Sequence, residues 1–111
     1  MAAKRDELDN IVDTMSFLSD RNRLRIVSLL AGNEVCVNDI MNTLRLPQPL
    51  VSYHLRKLRE SGLVNNRRDR QWIFYSLDED AWAKASKPIS GLFNAPEKLS
   101  GPRKKATKAR R

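Results

Sequence analysis

The chain has 111 residues, 41% hydrophobic and 31% charged, with a net charge of +8, a size and balance that point to one soluble globular domain with a modest core. Its start, MAAKRDELDN, is charged with no apolar run behind it, and no apolar stretch is long enough to span a bilayer, so neither a secretory signal nor a membrane span is expected and a cytoplasmic location is. A single cysteine, Cys36, rules out an intrachain disulfide and suits a reducing compartment.

In chain order, RDELDNIVDTMSFLS carries Leu8, Ile11, Val12, Met15 and Leu18 at helical spacing with acids opposite, which predicts an amphipathic first helix. Asp20 offers an N-cap for a second helix, RNRLRIVSLLA, which Gly32 stops. EVCV follows as a short apolar, strand-like connector. A third helix is expected to begin near Asn38, taken as its cap, and to run through Asp39, Ile40, Met41 and Leu44. RLPQP interrupts it. Pro49 suits the first turn of a fourth helix, PLVSYHLRKLRES, which ends at Gly62.

Leu63–Val64 and Trp72–Tyr75 are β-formers flanking a polar centre, and they predict a hairpin with Arg67, Arg68 and Arg70 clustered around Asp69 at its tip. A last helix starts near Asp78 to Asp80 and includes Ala81, Trp82 and Ala85. Pro88 should break or kink it, with Ile89, Leu92 and Phe93 still able to pack. The fold class expected is mainly α with a β-hairpin wing, a winged helix-turn-helix in the order α-α-α-α-β-β-α. Residues 1–93 are expected to form the domain and 94–111 a basic, disordered tail. Residues 98–111 hold seven Lys or Arg and no acid, which leaves 14 basic against 13 acidic side chains in residues 1–97. The tail accounts for almost the whole excess, so overall charge alone does not indicate nucleic acid; the charge pattern within the domain must.

That pattern centres on the fourth helix. Val51, His54, Leu55 and Leu58 form one stripe toward a core, and Pro49, Tyr53, Arg56, Lys57 and Glu60 lie opposite, with Gln48 and Ser52 on the N-terminal flank. A recognition helix over 48–61 would present its first residues to base edges, where Gln suits adenine and Arg suits guanine, while Ser or Tyr suits phosphate or base. Taken alone, an amphipathic helix is more often simply solvated. An arginine wing at 67–70 changes the balance, because a surface turn has no folding need for three arginines. The DNA-binding set expected is Gln48, Ser52, Tyr53, Arg56, Lys57, Arg67, Arg68 and Arg70. His54, the sole histidine, reads as a packed, hydrogen-bonded imidazole rather than a metal ligand, with no second ligand at suitable spacing. One histidine, four glycines and no ligand cluster offer neither a catalytic set nor a nucleotide loop, so neither an enzyme nor a cofactor is expected.

FLSDRNRLRIVSLL, QPLVSYHLRKLRESGLV and RRDRQWIFYSL together resemble the ArsR/SmtB family of bacterial winged-helix repressors, over about Met15 to Leu77. The resemblance implies a homodimeric repressor that binds double-stranded DNA at an inverted repeat. It also implies a dimer built from the first and last helices, here offering Leu8, Ile11, Val12, Met15, Ala81, Trp82 and Ala85. In the arsenic-responsive members NEVCVNDIM would carry three cysteines; this chain matches the first at Cys36 and has Asn38 and Met41 where the others would stand. One thiol with an amide and a thioether does not make a soft trigonal site. The zinc- and nickel-type members use Asp and His on the last helix, and this chain has no histidine beyond His54. No metal site is therefore expected, and a small-molecule or redox inducer stays unidentified. Cys36 reads either as a small buried hydrophobe between two valines or as a lone thiol sensor. Two other readings of the chain stay open: an architectural DNA-binding protein driven by the basic tail, and a winged-helix protein-interaction module.

Overall fold

The computed structural model describes residues 5–94, and within them five helices and three short strands form a winged helix-turn-helix. Helix α1 (Arg5–Phe17) begins with Asp6 and Glu7, acids that oppose the positive end of the helix dipole. Its apolar stripe divides. Ile11 is buried within the protomer, whereas Leu8, Val12 and Met15 are exposed, so Ile11 holds α1 in place and leaves the outward stripe to the other three. Helix α2 (Arg21–Leu30) has the expected cap: the Asp20 carboxylate accepts from the Arg23 backbone N–H at 2.9 Å. Gly32, with φ +75°, turns the chain out of it.

Strand β1 (Val35–Cys36) is the connector, and it leads directly into α3 (Val37–Leu44). The cap of α3 is Cys36, which makes no side-chain bond; Asn38 lies inside the first turn and does not cap. The chain commits to the helix two residues early because Cys36 is held extended by its pairing with Phe74 on the third strand. Helix α4 (Gln48–Glu60) carries Pro49 in its first turn and closes at Gly62, φ +86°.

Strands β2 (Val64–Asp69) and β3 (Trp72–Leu77) form the hairpin, with register Val64↔Leu77 through Asp69↔Trp72, and the sheet order is β1-β3-β2. The turn is therefore the pair Arg70–Gln71. Arg67 and Arg68, expected at the tip, sit on the ladder opposite Phe74 and Ile73. Hydrogen bonding to the β-former strand β3 outweighs the weak strand propensity of NNRRD. Helix α5 (Glu79–Leu92) is capped by Asp78, whose carboxylate accepts from the Ala81 N–H at 3.0 Å. It runs through Pro88 to Leu92 instead of breaking there. No described helix is long and apolar enough to cross a membrane. The basic tail lies, from residue 95 onward, outside the described residues.

Ile26 and Leu30 from α2, Ile40 from α3, Val51, Leu55 and Leu58 from α4, and Leu63 and Val64 at the wing's root make one buried core. Fully burying each such side chain is worth about 1.5–3 kcal/mol, so the helix pair and the base of the wing are fixed as one unit. Ala81, Trp82 and Ala85 pack half-buried against this core, and the Trp82 indole N–H donates to the Leu63 carbonyl at 2.8 Å. All three keep part of their surface open; the large apolar side chains exposed on and just beyond α5 are Leu92 and Phe93, which is 77% exposed.

Among the described residues, four have φ in the left-handed region: Gly32, Gly62, Arg45 (φ +56°) and Arg70 (φ +60°). A side chain there crowds the backbone and costs about 1–2 kcal/mol, so the two arginines are held against a local preference.

Candidate nucleic-acid interface

The apolar stripe that seats α4 in the core also fixes which face it turns outward. Val51, His54, Leu55 and Leu58 are buried, and Gln48, Ser52, Tyr53 and Arg56 are exposed, with Lys57 half-buried. Tyr53 organises this face. Its ring stands edge-on to His54, centroids 5.1 Å apart at 67°, with the Arg56 guanidinium at 5.7 Å and the Lys57 ammonium at 5.9 Å from the ring centroid. Cations at that range are weakly attracted by the ring and are held spread across one surface.

The wing stands beside the start of α4. A cleft of about 440 Å³ runs between them, lined on the helix side by Gln48 and Ser52, on the wing side by Gln71, Trp72, Ile73 and Tyr75, and at one end by Cys36, Val37 and Asn38. Gln71 and Trp72 were absent from the sequence-derived set. Their place became visible only once the turn fell at Arg70–Gln71, two residues beyond the arginine pair. Cys36 borders this cleft but is itself buried.

Arg67 differs from its neighbours in the wing. Its guanidinium donates to both oxygens of Glu34, Nε to Oε2 at 2.6 Å and Nη2 to Oε1 at 2.9 Å, and lies 4.9 Å from the centre of the Phe74 ring. Asp69 stands 3.9 Å away. The hydrogen bonds from Arg67 hold the Glu34 carboxyl below its ordinary value and raise the Arg67 value, Glu34 being the main cause. Such fork-to-carboxylate pairing fixes geometry as well as charge. Arg67 thus braces the wing against the approach to β1, and Arg68 and Arg70 are the wing arginines for which no hydrogen bond or ion pair occurs among the described residues. The signal missed was Glu34, 33 residues upstream, which meets Arg67 only because β1 pairs with β3.

Behind α4 a polar network fixes the helix to its neighbours. His54 Nδ1 accepts from Arg23 Nε at 3.2 Å, Arg23 Nη1 donates to the Phe17 carbonyl at 2.9 Å, and His54 Nε2 faces Asp20 Oδ1 at 3.6 Å. The packed imidazole expected from the sequence is therefore present, buried between α2 and α4. Burial lowers its pKa below the ordinary 6.5; Asp20 opposes that shift and Arg23 adds to it. A histidine whose folded pKa is depressed contributes stability that is intact above the unfolded value and lost as pH falls toward the folded one. The domain's urea midpoint should accordingly fall as pH drops below about 6.5, and His54→Gln should flatten that decline whatever its effect at neutral pH. A decline of equal steepness in the variant would remove His54 as its source.

Among the described residues no three His, Cys, Asp or Glu side chains come together. Asn38 is exposed and Met41 packs half-buried against the core, so neither supplies a thiolate partner to Cys36. The donor set does not fit a thiolate-bound metalloid.

Comparison with known proteins bears on this surface. The family model described as "Bacterial regulatory protein, arsR family" matches residues 20–66, from the cap of α2 into the first arm of the wing. The arsenical resistance operon repressor of Escherichia coli is 40% identical over 79 residues, covering 70% of this chain and 68% of that protein. The HTH-type transcriptional regulator KmtR of Mycobacterium tuberculosis is 37% identical over 90 residues, covering 81% and 68%. The solved structure of HlyU from Vibrio cholerae, a protein named a transcriptional activator, superposes with a TM-score of 0.67 at 29% identity, covering 81% of this chain and 98% of that one.

Proposed function

The chain belongs to the arsR family of bacterial regulatory proteins, and from that premise we propose that it is a homodimeric repressor acting at an inverted-repeat operator. A DNA-binding transcriptional regulator is what family and fold establish; dimer, operator and sign of control are the added reading. The observation that carries it is the exposure of Gln48, Ser52, Tyr53 and Arg56 on α4 and of Arg68 and Arg70 on the wing, with Gln48 and Ser52 sharing one cleft with Gln71 and Trp72 of the wing. In this arrangement α4 enters the major groove by its N-terminal end and the wing follows the adjacent backbone. Gln48 and Arg56 are assigned to base edges, Ser52, Tyr53 and Lys57 to base or backbone, and Arg68 and Arg70 to phosphate. Arg67 supports the wing through Glu34.

The exposed stripe of Leu8, Val12 and Met15, with Leu92 and Phe93 at the far end of α5, supports the dimer. Repression, not activation, follows the named role of the Escherichia coli relative. The signal that releases DNA is read as something other than a Cys- or His-bound metal, on the strength of the Asn38 and Met41 positions. Lone-thiol sensing at Cys36 remains tied to the cleft the thiol borders.

The test is a mobility-shift titration of the full chain on the DNA upstream of its own gene across a salt series. Binding should weaken steeply with salt, and Arg68→Ala and Arg70→Ala should each lower the slope of log K against log salt by about 0.9 per chain bound. Failure of the intact dimer to shift any such fragment at low salt would contradict the reading. Unchanged slopes in both variants would remove the wing from it. An in vitro transcription assay fixes the sign of control: repression should appear on addition of protein, and stimulation would place this chain with the activator.

A further inference from the structure

Three helices of the domain end by passing the chain through a left-handed residue. After α2 and α4 that residue is glycine, Gly32 and Gly62, which tolerates the conformation freely. After α3 it is Arg45, at φ +56° and ψ +48°. The closures of α3 and α4 are otherwise alike: the Leu46 N–H reaches back to the Met41 carbonyl at 3.2 Å, as the Leu63 N–H does to Leu58 at 3.2 Å. Two glycines show what this backbone prefers at such a point, and Arg45 departs from it. The one other non-glycine residue in this region among those described is also an arginine, Arg70 in the wing turn.

Among the described residues, none bonds or pairs with the Arg45 side chain. It is exposed, while Arg25, which donates to the Leu44 carbonyl at 2.9 Å, already ties this corner to α2. A side chain kept at a backbone disadvantage, without a structural partner, points to a role outside the chain. Its location defines that role. Arg45 lies in the turn of the helix-turn-helix, three residues before Gln48, where α4 begins. A long cation there can reach the phosphates flanking the groove that the start of α4 enters.

We propose that Arg45 is a DNA-phosphate contact, a further binding residue in the turn between α3 and α4, matched at the other side of the interface by the equally disfavoured Arg70. The inference rests on the DNA-binding reading above, and the experiment separates the two. The probe is a fluorescein-labelled duplex of mixed sequence, since a phosphate contact does not depend on the operator. The full chain, Arg45→Gly, Arg45→Lys and a control that removes an exposed cation from α5, Lys87→Gln, are titrated by anisotropy across a salt series, with thermal unfolding alongside.

Arg45→Gly should unfold at an equal temperature or about 4 °C higher, and yet bind more weakly, with a log K–log salt slope shallower by about 0.9 per chain. Arg45→Lys should keep the wild-type slope. A merely structural arginine would give the opposite pairing, lowered stability and an unchanged slope. An Arg45→Gly slope equal to wild type, where wild type itself binds with a steep slope, overturns this inference and leaves the parent reading standing. A wild-type protein that does not bind the duplex at low salt overturns the parent reading instead.

Discussion

Replacing Arg23 with Ala should destabilise the domain by about 3 kcal/mol, the largest single loss expected from a polar side chain here. Arg23 is nearly buried, and it is the meeting point of three segments: it donates to His54 on α4 and to the Phe17 carbonyl at the end of α1, and stacks 4.3 Å from the Phe17 ring centre. Its removal leaves a buried imidazole nitrogen and a carbonyl without their donor, each worth about 1–3 kcal/mol. It also opens the space its stem fills. For a domain of this size the unfolding temperature should fall by roughly 12–20 °C, measured at fixed protein concentration because the proposed dimer would add to apparent stability. Arg23→Lys keeps charge but lacks the fork that reaches both acceptors, so it should recover only part of the loss. A loss under about 1 kcal/mol for Arg23→Ala would mean that His54 and Phe17 find other partners, and that the network does not position α4.

Turning the exposed stripe of α1 acidic should have the largest effect on DNA binding. Val12 is 58% exposed and Met15 49%, so Val12→Glu with Met15→Glu removes no core packing and should leave the monomer folded. Two such stripes facing one another would instead bury four carboxylates, each costly without a partner. The double variant should run as a monomer in light scattering. Its affinity for an inverted-repeat duplex should fall by about 100-fold or more, because the second half-site no longer binds as a tethered event. A dimer that persists with full affinity would place the interface elsewhere, with the outward Leu92 and Phe93 as the next surface to alter.

How much of this was legible in the sequence follows from the range of the interactions. The α4 stripe, the Asp20 cap, the start of α5 near Asp78 and the turn at Gly62 are written in residues within a few positions of one another, and local spacing sufficed for each. The buried state of His54 followed from the same spacing; its partner Arg23, 31 residues away, did not. The wing was seen but mis-aimed. Its turn, Arg70–Gln71, has neither glycine nor asparagine to mark it, so the arginine cluster itself was taken for the tip. The Glu34–Arg67 brace needed the two-residue strand β1, too short to show a period of its own. For α1 the spacing gave one stripe of five, but only tertiary packing could divide it into the inward Ile11 and the outward Leu8, Val12 and Met15. The family resemblance supplied the function class, and the geometry adds the Glu34 partner of Arg67, which no local spacing revealed.

Cys36 changes in the same way. It borders the cleft between α4 and the wing, caps α3 through its backbone alone, and lies across from Phe74 in the sheet. Oxidising or alkylating a thiol there would press on the gap between α4 and the wing. Its burial equally suits a small packed side chain.

The central claim is that α4 and the wing select a DNA sequence, with the basic tail adding only general attraction. Genome-wide mapping of sites bound by the full chain and by a chain truncated after residue 97 tests it directly. The account predicts a small set of sites sharing an inverted repeat, the same set for both chains, with the truncated one bound more weakly at each. Even coverage of the genome that disappears on truncation would contradict it, and would make the protein an architectural one held to DNA by its tail.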